Sequence, residues 1–99
     1  MSSSATSQLG QAIENGDFII TAEITPRLSG RADDVLQQAM PLKHKVTAVN
    51  VTDGAGARVA MSSVAASAIL AQNGIEPVLQ MTCRDRNRIA IAADLVGAA

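Results

Sequence analysis

The chain is almost without aromatic residues. Phe18 is the only one in 99 positions, and there is no Trp or Tyr. Bases therefore have no row of rings to stack on. With a net charge of -1 and no long basic run, the expectation is that nucleic acid is not a partner. Without aromatics, Val, Ile, Leu, Ala and Met must build the core. The abundant alanine favours close helix packing but buries little area per residue. A single cysteine, Cys83, excludes an intramolecular disulfide and a zinc site built with cysteine partners. It reads as a small buried hydrophobe, since no base partner is evident to make it a nucleophile. No stretch reaches the ~18 apolar residues of a membrane span. The Ser-rich start has neither a basic segment nor a following apolar one, so a reducing cytoplasm is the expected compartment.

What is present is a single small domain. The hydrophobic fraction of 47% against 17% charged marks a globular chain rather than a disordered one. Residues 1–6 read as a disordered tail and residues 7–99 as one folded unit. A short helix is predicted over residues 7–15, with Leu9 and Ile13 on one face and Gly16 just past its end. A strand follows at 18–24, stopped by Pro26. After the turn Ser29, Gly30 and Arg31, a helix is predicted over 32–42. Asp33 and Asp34 lie in its first turn, where the helix dipole favours acids. Val35, Leu36, Ala39 and Met40 form its apolar stripe, and Pro41 falls near its end. The second strand is 46–51. DGAGA at 53–57 reads as a flexible loop. Ser62 or Ser63 can cap the next helix, which carries Val64, Ala65, Ala68, Ile69 and Gln72 and ends before Gly74. The third strand is 78–82. Asp85 is a candidate N-cap for a last helix with Ile89, Ala92, Leu95 and Val96 on one side.

A helix followed by three strand-helix units implies a parallel α/β sheet with right-handed crossovers. The strands are mostly apolar on both faces, as parallel strands are. Polar residues concentrate on one parity near their C-terminal ends: Thr21 and Glu23, Asn50 and Thr52, Gln80 and Thr82. In barrels of alternating strands and helices, chemistry sits at that end. Thr21, Asn50 and Thr82 are explained well enough as strand-end residues satisfying backbone groups. Gln80 fits that role or a functional one. Glu23 is different, because a carboxylate at the end of a buried strand costs several kcal/mol unless it is paired or wet. A Gly-rich loop such as 53–57 lets backbone N–H groups approach a phosphate or a flavin edge, and equally makes a plain turn. Arg84, Arg86 and Arg88, balanced only by Asp85, read as a solvated helix start or as an anion site. His44 falls at a helix-to-strand turn on the opposite end, as a surface residue.

These residues resemble a known family. ITAEITP at 20–26, AVNVTD at 48–53, RVAMSS at 58–63 and, most specifically, GIEPVLQMTCRDRNR at 74–88 are similar to the N-terminal part of methylenetetrahydrofolate reductases, in their short-chain bacterial and archaeal branch. The resemblance covers residues 18–99. It implies a partial TIM (β/α)8 barrel: the first three strand-helix units, preceded by a short helix. It also implies FAD as cofactor and hydride transfer converting methylenetetrahydrofolate to methyltetrahydrofolate. The position matching Glu23 is the family's general acid, a role that wants a carboxyl able to hold its proton, and burial at a strand end is the expected means. The position matching Thr52 lies by the flavin and nicotinamide. Those matching Asp53, Ala55 and Gln80 lie around the flavin. Many relatives carry Tyr and His where this chain has Asp53 and Gln80. The implied partners are a folate substrate and an electron donor, either NAD(P)H or a redox partner protein.

A complete barrel needs eight strands and typically ~250 residues. The family's Arg/Thr-Gly-Asp motif after the fourth strand is absent from these residues. The expected entity is therefore a truncated reductase inactive alone. The alternatives are one piece of a split barrel or a non-catalytic interaction module, whose exposed sheet edges pair with another copy or a complementing chain. A different barrel enzyme with Glu23 as a base is a third reading.

Overall fold

The computed structural model describes residues 6–99. All but the last residue of the predicted tail lies outside this range; Thr6 is exposed and irregular. The elements run α1 (Gln8–Asn15), β1 (Thr21–Ile24), α2 (Ala32–Ala39), β2 (Ala48–Val51), α3 (Ser63–Gln72), β3 (Pro77–Leu79) and α4 (Arg88–Ala98). The three strands form one parallel sheet in the order β1-β2-β3. This is the neighbour order that sequential strand-helix units produce.

Register puts the polar parity on one face. Thr21 pairs with Ala48, Glu23 with Asn50, and Asn50 with Val78. Beyond the strands the ladder continues: the Thr52 N–H donates to the Ile24 carbonyl at 3.1 Å, and the Gln80 N–H to the Val51 carbonyl at 3.2 Å. Alternation then sets Thr52 and Gln80 on the same face as Glu23 and Asn50. The other face carries Ile24, Val49 and Val51 into a core with Val35 and Ala39 of α2, Ala66 and Leu70 of α3, and Ile75.

Local chemistry accounts for most element ends. Ser7 caps α1 through its side chain, and Gly16, at φ 71°, closes it by donating to the Ala12 and Ile13 carbonyls. Ser62, not Ser63, caps α3, accepting from the Ala65 N–H. Ser63 is fully buried and donates to the Gln80 carbonyl at 2.7 Å.

Several expectations need correction. The helix predicted over 32–42 stops at Ala39, and Met40–Leu42 continue as a 3-10 turn, because Pro41 offers no N–H. The face of α3 turned to the sheet is Ser63, Ala66, Ser67 and Leu70; two serines hide this stripe from an apolar reading. The cap of α4 is Asn87, whose Oδ1 accepts the Ala90 N–H at 2.8 Å, while Asp85 pairs with Arg84 instead. The apolar side chains Ile89, Leu95 and Val96 are exposed; Ala90, Ile91 and Asp94 are the half-buried positions of α4. The first strand is shorter than 18–24, and Phe18 is 90% exposed. The third strand ends at Leu79, because the Thr82 N–H leaves the ladder for the Asp53 carboxylate. Cys83 is exposed rather than buried.

Candidate active site

The C-terminal ends of the strands open into a cleft of about 440 Å³. One wall is the segment after β1, with Thr25, Pro26 and Leu28; the other is the segment after β2, from Thr52 through Ala60. The Met61 N–H donates to the Arg27 carbonyl at 3.0 Å and joins the two walls. Gly54 and Gly56 both adopt left-handed backbone, at φ 60° and 68°. A Cβ on Gly54 would also stand 3.0 Å from the Arg84 guanidinium, which donates to the Gly54 carbonyl. The left-handed backbone is what favours glycine there; the Arg84 guanidinium is half exposed and can give way by the few tenths of an ångström a Cβ would need.

Thr52 forms part of the cleft lining. It is 8% exposed, and its hydroxyl is buried with no partner among the described residues. A buried hydroxyl without a partner costs of order 1–3 kcal/mol, so this oxygen has unmet hydrogen-bonding capacity beside the cleft. Ala55 lines the same cleft with only a methyl side chain. Arg58 brings a cation to it and forms no ion pair among the described residues.

Asp53 is turned away from this cleft. Its carboxylate forms a two-point ion pair with Arg86: Nη1 meets Oδ2, and Nη2 donates to Oδ1 at 3.2 Å. The Thr82 N–H donates to the same carboxylate at 2.8 Å. The Arg86 guanidinium, above all by hydrogen bonding, holds the Asp53 carboxyl below its ordinary value against the opposing effect of burial. Arg86 also donates to the Thr82 carbonyl at 2.9 Å and to Asp94 at 3.0 Å. It is neither a solvated helix start nor a bare anion site. The loop at 53–57 makes a tight turn over Ala55–Ala57 in which Gly56 is left-handed. The sequence marks Arg86 only as one of three arginines; nothing in its spacing points to Asp53, 33 residues earlier.

Glu23 and Gln80 share the open sheet face with Thr52 but do not line the 440 Å³ cleft. Glu23 is exposed, which corrects the expectation of a buried carboxylate: α2 and α3 cover only the opposite face of the sheet. Gln80 is half-buried, and its main chain is held by Val51 and Ser63. Asn50 donates to Thr21 Oγ1 at 3.2 Å and to the Ala22 carbonyl at 3.3 Å, the strand-end role expected of it. His44 is exposed, in a left-handed turn before β2.

The model of the methylenetetrahydrofolate reductase family matches residues 8–99. The chain belongs to the methylenetetrahydrofolate reductase family. Neither a curated protein nor a solved structure gives a significant match. The family's barrel fold fits the parallel β1-β2-β3 sheet, which is its first arc of strand-helix units. No helix among the described residues is long and apolar enough to cross a membrane.

Proposed function

We propose that these residues form the N-terminal arc of an FAD-dependent reductase that converts methylenetetrahydrofolate to methyltetrahydrofolate. The observation that carries this reading is the placement of Glu23, Thr52 and Gln80 on one sheet face at the strand C-termini, in a chain of this family.

The cleft suits an edge of a flavin. It falls within the ~300–1,000 Å³ of small-molecule sites, offers the unpartnered Thr52 hydroxyl, and is floored by small residues that let a planar ring approach the backbone. FAD, when bound, supplies the hydride for the one-carbon bridge. Thr52 would hold an edge of it by a hydrogen bond, and Ala55 would leave room for it. Gln80, on the sheet face beside Thr52, would orient its other side. Glu23 would donate the proton that lets the folate's five-membered ring open. In this arc the carboxyl meets water, so the wall that excludes water from it is contributed by the remaining barrel strands. These strands come from the same polypeptide or from a complementing chain, and they pair with the free edges of β1 and β3. The arc alone holds too few groups for turnover. The electron donor is NAD(P)H or a redox partner protein, and the setting is the cytoplasm.

Glu23→Gln in the complete barrel tests the assignment. Flavin binding and flavin reduction by the donor should survive, because neither needs a proton from Glu23. The folate half-reaction should fall by at least ~100-fold, as for loss of a general acid. Stopped-flow absorbance of the flavin follows both halves. Equal loss in the two would make Glu23 a structural residue, and unchanged folate turnover would remove it from the mechanism.

A further inference from the structure

The Thr52 segment is held from outside the cleft. Between the buried Thr52 and the left-handed Gly54 stands Asp53, whose side chain is only 9% exposed and meets Arg86 and Thr82, in the segment between β3 and α4, rather than the cleft. Arg86, at 15% exposure, joins four points at once: both Asp53 oxygens, the Thr82 carbonyl after β3, and Asp94 on α4. The Asp53 carboxylate in turn accepts from the Thr82 N–H. The loops after β2 and β3 are therefore cross-tied through one guanidinium. Arginine suits this role because its planar fork meets a carboxylate at two points while its Nε serves a third partner.

We infer that Arg86 is a positioning residue for the flavin cleft: through Asp53 it fixes the backbone that sets the Thr52 hydroxyl and the Gly54–Gly56 turn, and Asp53 acts on the cofactor only by this route. The inference rests on the flavin reading above. In this account the carboxylate never touches flavin. Its charge is neutralised inside the latch, which keeps an anion away from a ring that becomes electron-rich on reduction. The position can therefore differ in kind between relatives, provided that something else holds the loop.

The test uses the full-length protein that carries these residues, with Arg86→Met, Asp53→Asn and the double variant. Amide hydrogen exchange is read on residues 54–58 and on the β2 core at 49–51. FAD affinity and the absorbance spectrum of the bound flavin at saturation are measured on the same samples. The latch predicts faster exchange at 54–58 with little change at 49–51, and FAD binding weakened about 10- to 100-fold, as when a supporting group around a cofactor is lost. It also predicts a flavin spectrum altered even at saturation, because the Thr52 contact has moved. The double variant should be no worse than the poorer single one, since both remove one device. Arg86→Lys keeps the charge but not the fork and should fall between wild type and Arg86→Met; it also serves if Arg86→Met does not fold. Unchanged FAD affinity and spectrum in the single variants would overturn the inference, as would losses that add in the double variant or equal loosening of residues 49–51. A wild-type protein that takes up no flavin would refute the flavin reading instead. The exchange at residues 54–58 would then decide the latch alone.

Discussion

Glu76 closes a contact across most of the chain, and its removal should free one helix while sparing the core. Its Oε1 accepts the Gln8 N–H and its Oε2 the Leu9 N–H, both at 2.7 Å. Ser7 supplies the rest: its hydroxyl accepts the Gly10 N–H at 2.9 Å, and its carbonyl accepts the Gln11 N–H at 3.0 Å. All four first-turn donors of α1 are thereby satisfied, two of them by one carboxylate at the start of β3. An eight-residue helix does not hold itself in water, and α1 buries no residue fully. The carboxylate is therefore a main anchor. A hydrogen bond to a charged group contributes ~1.5–3 kcal/mol net. Two of them at a half-buried site, partly replaced by water on deletion, come to about 2 kcal/mol for Glu76→Ala. That corresponds to roughly a 30-fold rise in local opening. Amide exchange of residues 12–17, whose N–H groups bond within or just past α1, should accelerate by about that factor. Residues 49–51 should be unaffected. Glu76→Gln, which keeps one acceptor and the shape, should give a smaller effect. Unchanged protection of α1 in Glu76→Ala would refute the anchoring argument, and equal acceleration in β2 would show that α1 and the core open together.

Two further outcomes follow from the core and the latch. Leu70 is fully buried among Val49, Val51 and Ala66, so Leu70→Ala should cost about 2–5 kcal/mol in urea unfolding; a loss below ~1 kcal/mol would mean that the core collapses around the gap. The Asp53 carboxyl is held below its ordinary value of 3.8 by Arg86 and Thr82. Its contribution is present in full above that value and is lost as pH falls through the lower folded-state value. Arg86, Arg84 and Asp94 are the charged groups around it, and both arginines stay protonated throughout. Acid unfolding of Asp53→Asn should therefore be less steep below pH 3.8 than that of wild type, and an identical acid limb would show that the pair adds no pH dependence.

The candidate site was half legible. The parity argument found Glu23, Asn50, Thr52 and Gln80 on one face because strand alternation is local and the sheet preserved it. Glu23's exposure was not legible, since burial at a strand end depends on what covers the face, and these residues cover only the opposite one. For Asp53 the family resemblance implies a place around the flavin, and its spacing in the chain gives no sign of the ion pair. Its actual partner lies beyond α3 and β3.

The sequence by itself determined the order of helices and strands, the parallel sheet, and the closing glycines Gly16 and Gly74. These follow from periodicity and backbone preferences acting over a few residues. Tertiary structure decided the pairings between distant positions: Glu76 with the start of α1, Arg86 with Asp53, and Ser63 with the end of β3. It also decided which face of α3 is buried, where serines stand among the inward positions. A charged or polar side chain has many possible partners along a chain, and hydrogen-bond geometry selects among them only after the apolar faces have packed and brought the strand ends side by side.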